Sequence, residues 1–356
     1  MRGTASRFHK PRAYAARDRA RTAHRARRRD TIRAVNLEAY VRASLKALHF
    51  RPSKQRGQNF LIDESAQEAL VQRADIAADD TVIEVGTGLA TLTRRLARAA
   101  RRVYTFEIEA GLYTFLGREL AEFTNVELIK KSFNSYSLGE LLETLDSGRH
   151  VKVCANLPYQ ITSLFLRAIV EYQEWIEIAC VMMQREVAER LAAQPGSRAY
   201  GSLSVWLQTY FDVEIVAEVP PDAFIPPPKV HSVVVALTPR RPRQARGMDA
   251  TQAGDAGDES DVYDIPESLS FFRLTEGLFR HRRKTVENAL RKVVPGMTAE
   301  TALTALTRAR VAPDTRPEKL GRSELRALAI ELEKLGINVR PKQITAGGFK
   351  GESDEQ

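Results

Sequence analysis

The chain has 356 residues, 43% of them hydrophobic and 28% charged, enough for one large or two ordinary domains with a real core. No run of about 18 apolar residues occurs, which excludes a transmembrane helix. The two cysteines, Cys154 and Cys180, are too few for a disulfide framework or a cysteine-based zinc site. The net charge of +9 belongs to a tail: residues 1–33 hold twelve Lys and Arg against Asp18 and Asp30, a surplus of +10 that leaves −1 for the rest.

That tail reads as disordered. An Arg-rich segment of this kind binds polyanions through counterion release. A solvated extension with no single partner and an organelle transit peptide are the other readings. The latter lacks an apolar face, since almost no Leu, Ile or Val precedes Ile32. No apolar stretch follows Met1, so no secretory signal is expected, and the cytoplasm is the expected compartment. None of the six histidines stands in an HExxH-like spacing, so no metal is expected.

Residues 34–50 have helical periodicity, with Val35, Leu37, Tyr40, Val41, Leu45 and Leu48 on one face. A basic connector runs from Arg51 to Arg56. Strands are then expected at Thr81–Val85, Arg102–Phe106, Val126–Ile129 and Val151–Ala155. Each precedes a helix-like stretch: Leu89–Ala99, Ala110–Leu120, Ser137–Leu145 and Thr162–Tyr172. Repeating units of this length imply a parallel, doubly wound sheet. Later strands are expected at Ala179–Met183, Val213–Val219 and Ser232–Leu237, the last two close enough to pair antiparallel. Residues 267–336 show only helical periodicity. The expected organisation is a basic disordered tail plus a short helix over 1–50 and an α/β domain over 51–240. A flexible acidic linker over 241–266 follows (Asp249, Asp255, Asp258, Glu259, Asp261 and Asp264), then a small, separate all-α C-terminal domain over 267–338 and a disordered tail over 339–356.

The strongest local motif is Glu84-Val85-Gly86-Thr87-Gly88-Leu89-Ala90, at the end of the first strand of the series. Glycines there permit a tight turn and close backbone approach to a ligand before a helix begins. Glu107 ends the next strand about 20 residues on, where a carboxylate accepts hydrogen bonds from ribose hydroxyls. The pair fits a nicotinamide dinucleotide or S-adenosylmethionine. The third glycine of the dinucleotide fingerprint is absent, because Ala90 and Thr91 follow, and this favours the methyl donor. A purely structural turn is the plainer reading.

Asn156-Leu157-Pro158-Tyr159 follows the fourth strand, at the edge where sheet ligands bind. The Asn156 amide oxygen and the carbonyl before Pro158 are two acceptors for both hydrogens of an exocyclic amine. Tyr159 offers a face for stacking a base. Holding both hydrogens draws the nitrogen towards tetrahedral geometry and exposes its lone pair to an electrophilic methyl, so no strong general base is needed.

With these motifs in place the sequence resembles the rRNA adenine N6,N6-dimethyltransferases. Gly57-Gln58-Asn59-Phe60-Leu61, EVGTG, FEIE, NLPY, MMQREVAERLAAQPGSRAYGSLSV and Phe224-Ile-Pro-Pro-Pro-Lys-Val-His-Ser232 occur in the family order over about 55–240. The likeness continues through FFRLTEGLFRHRRKTVENAL and RPEKL to about 335. PPDAF, PGSRAYG, HRRK and RPEKL are similar to the KsgA-like branch, which acts on small-subunit rRNA, rather than to the Erm branch, which acts on large-subunit rRNA and confers macrolide resistance. The resemblance implies a Rossmann-like class I S-adenosylmethionine-dependent methyltransferase domain over 51–240 and an RNA-binding helical domain over 267–338. It implies dimethylation of adenosine N6 in a loop of small-subunit rRNA within an assembling ribosomal subunit, by a monomer. Asn156, Leu157, Pro158, Tyr159 and Phe224 then form the catalytic set, Tyr159 and Phe224 sandwiching a flipped adenine. Gln58, Asn59, Leu61, Gly86, Gly88, Glu107, Ser132 and Asn156 hold the donor. Lys229, Arg280, Arg282, Arg283 and Lys284 meet rRNA phosphates, the last four in a helix whose basic run wraps more than one turn.

Four positions depart from the family pattern. Thr87 stands where Pro is usual, Ser132 where Asp is usual, Gln160 for Asn and His231 for Asp. Loss of the Asp removes a charge-assisted hydrogen bond to the donor's adenine and is expected to weaken donor binding by about 1.5–3 kcal/mol. The alternatives are the Erm-like activity on large-subunit rRNA, and a non-catalytic ribosome-assembly or transcription-factor relative. A nicotinamide dehydrogenase has no place for Asn156–Tyr159.

Overall fold

The computed structural model describes residues 36–53, 57–145, 149–240 and 269–337. The expectations for the basic tail, the acidic linker and the tail over 339–356 fall outside the described residues.

Seven strands form one sheet: β2 (Thr81–Val85), β3 (Arg102–Phe106), β4 (Val126–Ile129), β5 (Val151–Asn156), β6 (Ile176–Gln184), β7 (Phe211–Val219) and β9 (Ser232–Pro239), in the spatial order β4-β3-β2-β5-β6-β9-β7. The first five pair in parallel. Strand β9 runs antiparallel to both β6 and β7. Parallel strands are covered on both faces, which is why they read as unbroken apolar runs. All five residues of β2 are buried, whereas β4, at the sheet edge, has none.

The expected antiparallel pairing of the last two strands is present, from Val219 opposite Ser232 to Phe211 opposite Pro239, with the register shifting between Ile215 and Ala217. What the sequence did not indicate is that β9 lies between β6 and β7. The order reverses between β2 and β5: the chain winds outward through β3 and β4 on one side and returns through β5 and β6 on the other. The carboxyl ends of the strands splay there and open a crevice.

Helices cover both faces. On one, α2 (Glu64–Arg73) and α3 (Thr91–Ala99) bury Leu70, Leu92 and Leu96 against Val82, Cys154 and Cys180. On the other, α5 (Ser135–Glu143) and α6 (Thr162–Glu171) bury Leu138, Phe165 and Ile169 against Ile83, Val85 and Val153. Asp63 caps α2, accepting from Ser65 N at 2.7 Å and Ala66 N at 3.2 Å. The N-terminal helix α1 (Leu37–Ala47) is capped by Asn36. It lays Leu37, Tyr40, Val41 and Leu45 on Leu112 and Leu116 of α4 (Ala110–Glu119). A two-stranded antiparallel ribbon, β1 (Phe60–Leu61) with β8 (Phe224–Ile225), joins segments far apart in sequence.

The helical region comprises α9 (Leu269–Arg280), α10 (Val286–Val293), α11 (Ala299–Arg308) and α12 (Arg322–Lys334). Its core of Phe271, Leu274, Leu278, Leu290, Leu306 and Leu328 also contains Ala193, Tyr200 and Val205, from the end of α7 (Arg185–Ala192) to α8 (Ser202–Tyr210). Tyr200 Oη donates to the Leu320 carbonyl at 3.0 Å, and Arg322 donates to the Gln208 carbonyl. The separation expected from the sequence is therefore one of secondary-structure content and not of packing.

Candidate active site

The carboxyl ends of β2, β3, β4 and β5 surround one cleft of about 500 Å³. The turn after β2 has Gly86 at φ +84° and Gly88 at φ +56°, the left-handed region that glycine tolerates. A Cβ on Gly86 would lie 3.2 and 3.3 Å from the Pro158 ring carbons, so two strand ends meet through it. The Phe106 carbonyl accepts from Gly86 N at 2.9 Å and Thr87 N at 3.2 Å. The Thr87 hydroxyl lies 2.7 Å from that of Thr105, which donates to Glu84 Oε2 at 2.6 Å. The turn is thus held by hydrogen bonds where the family's usual Pro would stiffen it covalently.

Glu107 is 9% exposed and lines the cleft. Its Oε1 accepts from Ile108 N at 2.9 Å and Glu109 N at 2.8 Å, and its Oε2 from Gly88 N at 3.0 Å. A carboxylate has about four lone-pair positions, so about one remains for a ligand hydroxyl. Burial raises its pKa, and the backbone donors oppose that rise. Glu84 is deeper. Burial pushes its carboxyl up to about 8, against the hydroxyls of Thr105 and Thr93 and assisted by the neighbouring charge of Glu107. Burial thus favours its protonated form.

Asn156 ends β5. Its Nδ2 donates to the Asn59 carbonyl at 3.4 Å, which leaves Oδ1 as the free end of the amide. Tyr159 opens the short helical turn Tyr159–Ile161, with its hydroxyl 2.6 Å from Ser232 Oγ; burial raises the phenol's pKa. Phe224 is 2% exposed and paired opposite Leu61 in the ribbon. Asn156, Leu157, Pro158, Tyr159 and Phe224 all line the cleft, as do Gln58, Asn59, Leu61, Gly86, Gly88, Glu107 and Ser132. Gln58 accepts from Ser53 N at 2.8 Å and donates to Glu109 Oε2 at 3.4 Å, and Asn59 donates to the Gly57 carbonyl at 3.2 Å. Ser132 is exposed at the rim.

The basic residues lie elsewhere. Lys229 is exposed between β8 and β9 and does not line the cleft. Helix α9 ends at Arg280, so residues 281–284 are a turn and not the helix expected. His281 N and Arg282 N bond three residues back, to Leu278 and Phe279, and Thr285 caps the next helix. Arg280 pairs with Glu276 at 2.6 Å. Arg282 donates to Glu318 at 2.8 Å and to the Arg198 carbonyl at 3.2 Å, a strut between the helical core and the α7–α8 connection. Arg283 and Lys284 are exposed.

Several cleft residues escaped sequence reading. Ile108, 68% exposed, and Phe133, which is buried, both line the cleft. An isolated apolar residue between the acids Glu107 and Glu109 is a signal the sequence offers. Val41 of α1 also forms part of the wall, and Gln67 of α2 another part; no local pattern announces either. Among the described residues no group of three or more His, Cys, Asp or Glu is placed to hold a metal ion, and no helix is long and apolar enough to cross a membrane.

Comparison with known proteins agrees with this geometry. The family described as Ribosomal RNA adenine dimethylase matches residues 49–251. Ribosomal RNA small subunit methyltransferase A of Alkaliphilus metalliredigens is 35% identical over 297 residues, covering 82% of this chain and 96% of that protein. The protein of the same name from Bacillus thuringiensis is 35% identical over 291 residues, covering 80% and 94%. In fold, the chain is similar to a dimethyladenosine transferase from Plasmodium falciparum, with a TM-score of 0.61 at 22% identity over 79% of this chain and 100% of that one. The 23S rRNA methyltransferase ErmE gives 0.56 at 23% identity, over 77% and 100%. These two likenesses establish a class I methyltransferase fold. The match over more than half of the sequence, with relatives 35% identical across four-fifths of it, means that the chain belongs to the ribosomal RNA adenine dimethylase family.

Proposed function

We propose that the chain dimethylates adenosine N6 in a loop of small-subunit rRNA, using S-adenosylmethionine, as part of small-subunit maturation in the cytoplasm. The observation that carries this reading is the opening of the Asn156–Tyr159 turn onto the same cleft as Gly86 and Glu107. The small-subunit assignment follows the relatives' names, and we take the working form to be a monomer without a metal.

The residues present fit the donor. The cleft is large enough for a nucleoside bearing an amino-acid arm. Gly86 leaves no room for a side chain between the turn and Pro158, Glu107 keeps an acceptor position for a ribose hydroxyl, and Ile108 and Phe133 offer apolar faces for a base. When bound, S-adenosylmethionine supplies an electrophilic methyl group on a positively charged sulfur.

The protein's part is positioning. Asn156 Oδ1 and the Leu157 carbonyl accept the two hydrogens of the target amine and turn its lone pair into the cleft. Tyr159, its hydroxyl tied to Ser232, presents a fixed ring for stacking, and Phe224 stands in the wall. A base in a single-stranded loop is the least costly to extract. The amine's proton becomes acidic only after it is alkylated, so it leaves to water and no side chain needs to act as a strong base. Arg283 and Lys284, exposed in the turn after α9, meet rRNA phosphates, while Arg282 holds the region in place.

The test is transfer of radiolabelled methyl from S-adenosylmethionine to unmethylated immature small subunits and to naked large-subunit rRNA, with Asn156→Ala as control. Label recovered as dimethyladenosine in small-subunit rRNA, and lost in the control, is the expected outcome. Label confined to large-subunit rRNA would move the chain to the other branch. Absence of label from both would leave a scaffold without the chemistry.

A further inference from the structure

Gln67 lies on the inward face of α2, between the buried Ala66 and Leu70, and is itself 1% exposed. It lines the cleft. Its Nε2 donates to Thr91 Oγ1 at 2.9 Å, which orients the amide. Its Oε1 is buried and has no hydrogen-bond partner. Native proteins rarely leave a buried acceptor unmet, because it loses its hydration without a bond in return. An orphaned oxygen on the wall of a ligand cleft is the mark of a bond completed by the ligand.

The donor's own groups narrow the choice. Its ribose hydroxyls belong with Glu107 at the end of β3, and its adenine amine with the loop after β4 that carries Ser132. Helix α2 packs instead on β5, β6, β7 and β9, on the other side of the strand-order reversal. The carboxylate of the amino-acid arm has no N–H to give. The strong donor left over is the α-ammonium.

We propose that Gln67 is a donor-binding residue whose Oε1 accepts a hydrogen bond from the α-ammonium of the S-adenosylmethionine amino-acid arm. This rests on the reading of the cleft as the methyl-donor site. Gln67 keeps its acceptor unmet until the ligand arrives, which lowers the stability of the free protein and raises the affinity of the complex.

The experiment is calorimetric titration of the full chain and of Gln67→Leu with S-adenosylhomocysteine, its desamino analogue and its decarboxylated analogue, together with thermal unfolding of each protein without ligand. Leucine matches the volume and removes the acceptor. The expected result is that Gln67→Leu binds S-adenosylhomocysteine roughly tenfold or more weakly, as for a hydrogen bond to a charged group. The decarboxylated analogue is expected to show the same loss, and the desamino analogue to bind both proteins equally. The ligand-free variant unfolds at a higher temperature. Gln67→Glu, which keeps an acceptor, is expected to retain binding of the amine-bearing ligands. Equal binding by Gln67→Leu and the parent would overturn the proposal, as would a loss that persists with the desamino analogue or one that vanishes only with the decarboxylated analogue. Failure of the parent chain to bind S-adenosylhomocysteine would instead overturn the donor-site reading and the proposal with it.

Discussion

Glu84→Gln isolates one buried proton. The Glu84 carboxyl is 1% exposed, and its Oε2 accepts from Thr93 Oγ1 at 2.7 Å and Thr105 Oγ1 at 2.6 Å. Burial holds its pKa at about 8, against an ordinary value of 4.5. Between those values the folded chain keeps a proton that the unfolded chain has released. Stability is therefore fully present below the unfolded pKa and is lost as pH rises through the folded one, with a slope of about 1.4 kcal/mol per pH unit. Over the whole window the loss is roughly 5 kcal/mol. Glutamine presents a carbonyl to the same two hydroxyls and does not titrate. Urea unfolding of the ligand-free proteins at a series of pH values measures the difference, since bound donor would add its own stabilisation. The parent should lose roughly 3 kcal/mol relative to the Glu84→Gln variant on going from about pH 5.5 to about pH 7.5. Parallel stability curves for the two proteins would refute the reasoning, because they would mean that Glu84 is already ionised in the fold.

Four further outcomes are expected. Gly86→Ala puts a side chain at φ +84° and 3.2 Å from Pro158; the left-handed conformation alone costs about 1–2 kcal/mol, so urea unfolding should show stability lowered by at least that amount, and unchanged stability would contradict the close approach. Ser132→Asp restores a charged acceptor at the rim and should tighten donor binding by about 1.5–3 kcal/mol, whereas no gain would mean that the loop after β4 does not reach the donor's adenine. Arg282→Ala removes the bonds to Glu318 and the Arg198 carbonyl and should lower stability by about 1 kcal/mol. Arg283→Ala should leave stability unchanged while reducing the salt dependence of rRNA binding, and a reversal of the two phenotypes would exchange their roles.

Much of the architecture is legible without coordinates because its signals are local. The central strands are buried on both faces, so Thr81–Val85 and Val151–Asn156 stand out as short apolar runs ended by a glycine turn and by Asn-Leu-Pro-Tyr. Gly86, Glu107 and Asn156 are recognisable because turn geometry and the proposed binding of a ribose and of an amine each demand a particular residue type at a strand end. The basic run Arg280–Lys284 is equally visible in the sequence. Its shape is not, since where α9 stops depends on Thr285 capping the next helix and on where Arg282 finds Glu318.

What only the tertiary structure decides are pairings between distant segments and the environment of single atoms. Leu61 meets Phe224 across a two-residue ribbon too short to carry a pattern of its own. Strand β9 enters between β6 and β7, a placement set by pairing between distant segments and not by any local pattern. Tyr200 belongs to the helical core although it lies in the α/β half of the sequence. Glu84 holds its proton, Glu107 has most of its acceptor positions taken, and Gln67 keeps one oxygen unmet in the wall of the cleft. Residue type says what a group is able to bond; solvation and neighbours, which exist only once the chain has closed around them, determine which of those bonds are made and which are left for a ligand.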